Sequence, residues 1–184
     1  MTSPRAAYAT LVREPAGAAW LTAVRRPLLV AVVLGVSVAI AATGRATPAL
    51  VVSTTITWSY IVVLQLIVAL PIVARARPTV GLARALDLFF AGHAPWSLFA
   101  LVAAAWGPSP VGRPLWPLAV ATVVPVVLTA RSVHAFCAEV LGLNRRGARW
   151  MAGAHQAMTW TLFVAMVWLS SSLTPRVLEL LGLA

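Results

Sequence analysis

Apolar positions in this chain fall into five long runs, each bounded on both sides by a charged residue: Pro27 to Gly44, Ala46 to Ala74, Leu88 to Gly112, Pro114 to Ala130 and Trp150 to Pro175. No run alternates apolar and polar positions as a half-buried strand would. Each approaches or exceeds the roughly 20 helical residues that cross about 30 Å of hydrocarbon. The pattern predicts an all-α, polytopic transmembrane bundle of five spans, at about 27–42, 49–73, 86–106, 115–130 and 150–173. Residues 1–26 form a basic lead ahead of this domain, and residues 27–184 the domain itself.

The residues between the runs give an orientation. All fourteen basic residues are arginine. With the N-terminus in the cytoplasm, Arg5, Arg13, Arg25, Arg26, Arg75, Arg77, Arg84, Arg131, Arg145, Arg146 and Arg149 lie inside. Arg45, Arg113 and Arg176 lie outside, together with the C-terminus. Such an excess on one side sets topology during insertion. The expected location is therefore a bacterial cytoplasmic membrane, the bacterial part resting on the Ala- and Arg-rich, Lys-free composition.

Composition agrees with lipid as solvent. Hydrophobic residues make up 61% of the chain and charged residues 10%, where soluble domains carry about 45–50% and 25%. The net charge of +10 does not describe a nucleic-acid surface, because the arginines stand singly or in pairs beside apolar runs. Their partners are anionic headgroups, each contact worth about 1 kcal/mol. The single cysteine, Cys137, excludes an internal disulfide, and no cofactor or metal motif is present.

Local signals refine the spans. Pro15 to Arg26 reads as either an interfacial helix, with Trp20, Leu21 and Val24 toward acyl chains, or a loose tail. Pro27 suits a first helical turn. The run from Leu28 to Ala41 also resembles a cleavable signal, but an uncleaved anchor fits the long lead better. The second span is the longest and should tilt. Pro95 removes a backbone bond inside the third span and predicts a kink there. Past Arg131 the fourth helix should continue to about Leu143, and Asn144 to Arg149 reads as a basic inner turn. The tetrads Trp96-Ser97-Leu98-Phe99 and Trp160-Thr161-Leu162-Phe163 echo each other in spans three and five.

Polar groups within hydrocarbon are costly and are therefore functional candidates. His93 lies six residues beyond Asp87 and His155 five beyond Trp150, so at ~1.5 Å per residue both sit about 8–9 Å into the inner half. Gln156 adjoins His155, Gln65 descends from span two, and Asp87 and Glu139 mark the rim. Three readings follow. The first is interhelical hydrogen bonding that holds a scaffold together. The second is a small transporter or permease subunit built on His93, His155 and Gln65 beside the Pro95 break. The third is a b-type haem held by His93 and His155. Catalysis has no support: there is no nucleophile elbow, zinc-protease helix, phosphate loop or paired intramembrane carboxylate.

The five-span layout, with the segment Ala83 to Trp96 and its Ala94-Pro95 step, resembles the Yip1 family of small integral membrane proteins. The resemblance implies a non-enzymatic membrane protein with a scaffold or accessory role and with membrane-protein partners or a second copy of itself. Eukaryotic members are linked to trafficking and small GTPases. Their acidic, Tyr-rich motif is absent from this N-terminus, so no GTPase-binding residue is assigned.

The charge pattern makes a direct prediction about topology. Reporter fusions after Arg84 and Arg149 should read cytoplasmic, and one after Arg113 periplasmic; a periplasmic reading at Arg149 overturns the threading.

Overall fold

The computed structural model describes residues 19–76, 80–106, 114 and 116–180, and every regular element among them is helical. Most of the basic lead, Arg77 and Arg113 lie outside this set. The helices are α1 Ala19–Thr43, α2 Pro48–Trp58, α3 Tyr60–Val73, α4 Leu82–Ala91, α5 Ala94–Trp106, α6 Trp116–Ala121, α7 Val123–Glu139 and α8 Arg145–Leu180, with a 3-10 turn at Ala74–Ala76. Two stretches, Trp20–Thr43 and Trp116–Glu139, are long and apolar enough to cross a membrane. The bent pairs α2 with α3 and α4 with α5 raise the number to four if each is one span.

Several boundaries differ from those the sequence suggests. α1 begins at Ala19, so Arg25 and Arg26 lie within the helix and Pro27 is an interior residue. Its missing N–H leaves the Ala23 carbonyl without its helical donor. The stretch expected as the second span is two helices, α2 and α3, that meet at 41°. The bend falls at Ser59, whose hydroxyl donates to the Ile56 carbonyl at 2.8 Å, a local bond that competes with the helix ladder. The basic residues after Asn144 open α8 rather than forming a turn. The Asn144 Oδ1 accepts the Gly147 N–H at 2.8 Å, a side-chain cap that starts a helix. α8 then runs through Pro175 to Leu180. Gly44 and Gly142 take φ of 71° and 65° where α1 and α7 end, a conformation that costs other residues a Cβ clash.

α1 is the central packing element, touching α2, α3, α4 and α5. Ala31, Gly35 and Ala39 recur every four residues along its buried side, a spacing of small residues that lets helix backbones approach. A Cβ on Gly35 would stand 2.8 Å from the Thr55 nitrogen and closer still to its hydroxyl. The Thr54 hydroxyl reaches the Gly35 carbonyl at 2.7 Å across this contact.

α4 is different in kind. Seven successive residues, Arg84 to Phe90, are buried, so this stretch of the helix is enclosed on all sides, as a central core helix must be. Phe89 packs edge-on against Phe136 of α7, with centroids 5.7 Å apart. Val73, Val133, Val140 and Ala148 complete this apolar cluster.

Asp87, expected as a rim residue, is wholly buried within the protein on α4. Arg25 grips both of its oxygens, Nε to Oδ1 and Nη2 to Oδ2, each at 2.7 Å. Arg26 Nε stands 3.1 Å from Oδ1, and Arg84 Nη1 donates to Oδ2 at 3.0 Å. A bidentate guanidinium pair is the strongest form of this contact. It ties α1 to α4 across 62 residues of chain.

Removing a partner from a buried ion pair leaves uncompensated charge and costs about 3–5 kcal/mol. Asp87→Ala should therefore lower the thermal midpoint in detergent sharply. Arg25→Ala should cost less, because half of its side chain is exposed. A midpoint for Asp87→Ala equal to that of the wild type would show that the cluster does not hold α1 to α4.

Candidate functional site

Above the apolar cluster the helices part around a cavity of about 440 Å³, within the range of small-molecule sites. Gln65 from α3, His93 from the α4–α5 junction, and His155 and Gln156 from α8 all line it. Four of the intramembrane candidates thus meet in one place. Pro95, Asp87 and Glu139 are not among the lining residues. Glu139 is exposed at the end of α7, and Arg75, Arg131, Arg145, Arg146 and Arg149 are exposed on the outside of the fold.

The break between α4 and α5 positions His93. The two helices meet at 43°, and the turn falls at Gly92 and His93, ahead of Pro95. Gly92 and His93 donate their N–H groups three residues back, to Phe89 and Phe90, at 3.0 and 3.1 Å. A new helix starts as the His93 carbonyl accepts from Trp96 and Ser97. Pro95 thus occupies the first turn of α5, where its missing N–H is of no consequence. It forces the break without standing in the cavity wall.

The two imidazoles touch. His93 and His155 are 4% and 1% exposed, with centroids 5.5 Å apart and planes at 74°. Phe89 lies under both, 5.1 Å from His93 and 5.3 Å from His155. The His93 Nδ1 lies 3.3 Å from the Phe89 carbonyl. His93 Nε2, both ring nitrogens of His155, Gln65 Oε1 and the hydroxyls of Thr129 and Thr159 are buried with no hydrogen-bond partner. All of these residues line the cavity.

The threonines escaped the sequence reading because most membrane hydroxyls bond one turn back. Ser37, Thr43 and Thr54 do so, at 2.7–2.8 Å. Thr159 stands four residues beyond His155 on the same face of α8, a spacing that was open to notice. The rest of the wall is apolar and aromatic. Trp96 and Trp160 meet at 5.9 Å, and each also packs edge-on with its own Phe99 or Phe163 at 88°. The echoed tetrads therefore make the same local contact and face each other.

This geometry tests the cofactor readings. Two axial histidines point their nitrogens at one iron from opposite faces of a porphyrin. Here the rings contact each other edge to face, with Phe89 against both, and no slab lies between them for a macrocycle. The residues do not fit a bridged haem. Among the described residues no three His, Cys, Asp or Glu side chains gather for a metal. Cys137 is fully buried and free, so it offers no accessible thiol.

The fold and site define a helical, membrane-compatible bundle with a polar-dotted apolar cavity. Compared with protein-family models, curated proteins and solved structures, the chain matches none.

The purified protein should show no Soret absorption, oxidised or reduced, even after incubation with haemin. A band that disappears in His93→Leu would restore the bis-histidine site.

Proposed function

We propose that the chain is a five-span, Yip1-like integral membrane protein without catalytic activity, with its N-terminus in the cytoplasm and its C-terminus outside. Its place is the cytoplasmic membrane of a bacterium, with anionic headgroups around its inner arginines. Its role is that of a small transporter or permease-type accessory subunit that accommodates a small molecule in the cavity around His93, His155 and Gln65.

One observation favours this over a scaffold held by polar glue. Glue requires the buried polar groups to bond one another across helices, each bond worth roughly 0.6–2 kcal/mol. Here His93 Nε2, His155 Nδ1 and Nε2, and Gln65 Oε1 are unpartnered and share a cavity. Buried polar groups are nearly always satisfied, so these point to an occupant. A helix broken at Gly92 and His93 beside that cavity is the usual architecture of a membrane binding site. The apolar outer faces of α2 and α5 leave room for a membrane-protein partner or a second copy.

The double substitution His93→Leu with His155→Gln separates the readings. It removes buried groups that form no interhelical hydrogen bond, so the protein should stay monodisperse with a melting midpoint near that of the wild type. Any small molecule that co-purifies with the wild type, detected by mass spectrometry of an organic extract, should be lost. A double variant that unfolds, or one that keeps the same extract, returns the histidines to a structural role.

A further inference from the structure

The walls of the cavity narrow the chemistry of its occupant, an inference that rests on the binding reading above. No Arg, Asp or Glu lines the cavity among the described residues. A charged head would enter without a counter-charge, at a high desolvation cost. The occupant is therefore neutral. Phe90, Trp96, Trp160 and Phe163 leave most of the wall apolar or aromatic, so most of the occupant is hydrocarbon.

The polar end is set by His93. A carbonyl only accepts, so the Nδ1 that faces the Phe89 oxygen at 3.3 Å carries the hydrogen. In the neutral ring with Nδ1–H, Nε2 is a bare lone pair. That lone pair is buried and unpartnered, and Gln65 Oε1 offers a second acceptor in the same cavity. His155 has both nitrogens unpartnered, giving one donor and one acceptor. A ligand carbonyl or ether would leave the His93 lone pair unsatisfied. A hydroxyl donates and accepts through one atom, so it can give its proton to His93 and take one from His155.

We infer that the cavity binds a neutral lipid alcohol, its hydroxyl at the His93–His155 pair and its hydrocarbon along the wall formed by Trp96, Trp160 and Phe163. The break at Gly92 and His93 serves this directly: it ends α4 so that the His93 ring can fold back on the Phe89 carbonyl and turn its other nitrogen to the cavity.

The test uses the full-length protein in mild detergent and a matched pair of probes, farnesol and farnesyl methyl ether. They share a hydrocarbon chain, and only the alcohol donates. Saturable binding is read by competition against radiolabelled farnesol, with quenching of tryptophan fluorescence as a second readout. Farnesol should bind saturably and the ether about ten-fold or more weakly, the factor expected when a buried acceptor is left unpaired. His93→Leu should reduce farnesol binding toward the level of the ether and leave the ether unchanged. Equal binding of both probes to the wild type overturns the hydroxyl assignment and leaves the cavity reading intact. Saturable binding of neither overturns the cavity reading itself. Tighter binding of farnesyl phosphate than of farnesol would overturn the neutrality argument. Because the primary comparison is made on the wild type, it does not depend on any variant folding.

Discussion

The carboxylate of Asp87 is the fixed point of this structure. It is wholly buried, yet it is gripped by Arg25 through two 2.7 Å bonds and approached by Arg26 and Arg84 at 3.1 and 3.0 Å. Such a cluster is not a large net source of stability, because burying charge costs several kcal/mol per ion before the partners repay it. What it provides is register. Because Arg25 and Arg26 stand on α1 and Asp87 on α4, the contacts pin the two helices at one level relative to each other. α4 can then be buried on every side without sliding. Everything that follows Asp87 in that helix inherits the position, including Phe89, which supports both imidazoles, and His93, which opens the cavity.

Packing is uneven as a result. Around Phe89, Phe136 and Val73 the side chains are closed and apolar. One turn further, the α4–α5 break draws the walls apart, and the cavity forms there. Closing it would require a straight α4–α5 span, which the break enforced by Pro95 prevents. The strain of the opening is limited because the junction loses little hydrogen bonding: Gly92, His93, Trp96 and Ser97 all place their N–H groups within the local turn. A dense end thus holds the level of the helices while an open middle presents polar atoms.

The sequence carried the coarse layout well, for a physical reason. Uncharged runs bounded by arginine report where lipid replaces water, and that constraint is local and one-dimensional. Counting residues from Asp87 and Trp150 put His93 and His155 level with each other, and the two rings do touch. The three-arginine cage was not legible, since Arg25 and Asp87 are 62 residues apart and each alone reads as a boundary charge. The bend at Ser59 was equally hidden, because a serine signals a bend only once its hydroxyl is seen on the Ile56 carbonyl. The Ala31, Gly35 and Ala39 stripe was present in the letters, but its meaning depends on Thr55 standing opposite.

What periodicity could never decide is whether converging polar groups satisfy each other. His93, His155, Gln65 and Gln156 at one depth suit a bonded cluster as well as a binding site. The two differ by small rotations of helices already pinned elsewhere. Here the pinning decides. With α4 held by Asp87 and the His93 Nδ1 held by Phe89, the second nitrogen of His93 is committed to the cavity side. His155 meets it edge-on rather than nitrogen to nitrogen, at a plane angle of 74°. The rings thus spend their contact on aromatic packing and keep their hydrogen-bonding atoms for something else. An arrangement selected only for cohesion would gain by turning one ring to bond the other, since an unpaired buried polar group costs about 1–3 kcal/mol. Unpaired groups retained at a cavity wall are what the proposed binding role requires, with a partner that comes from outside the chain.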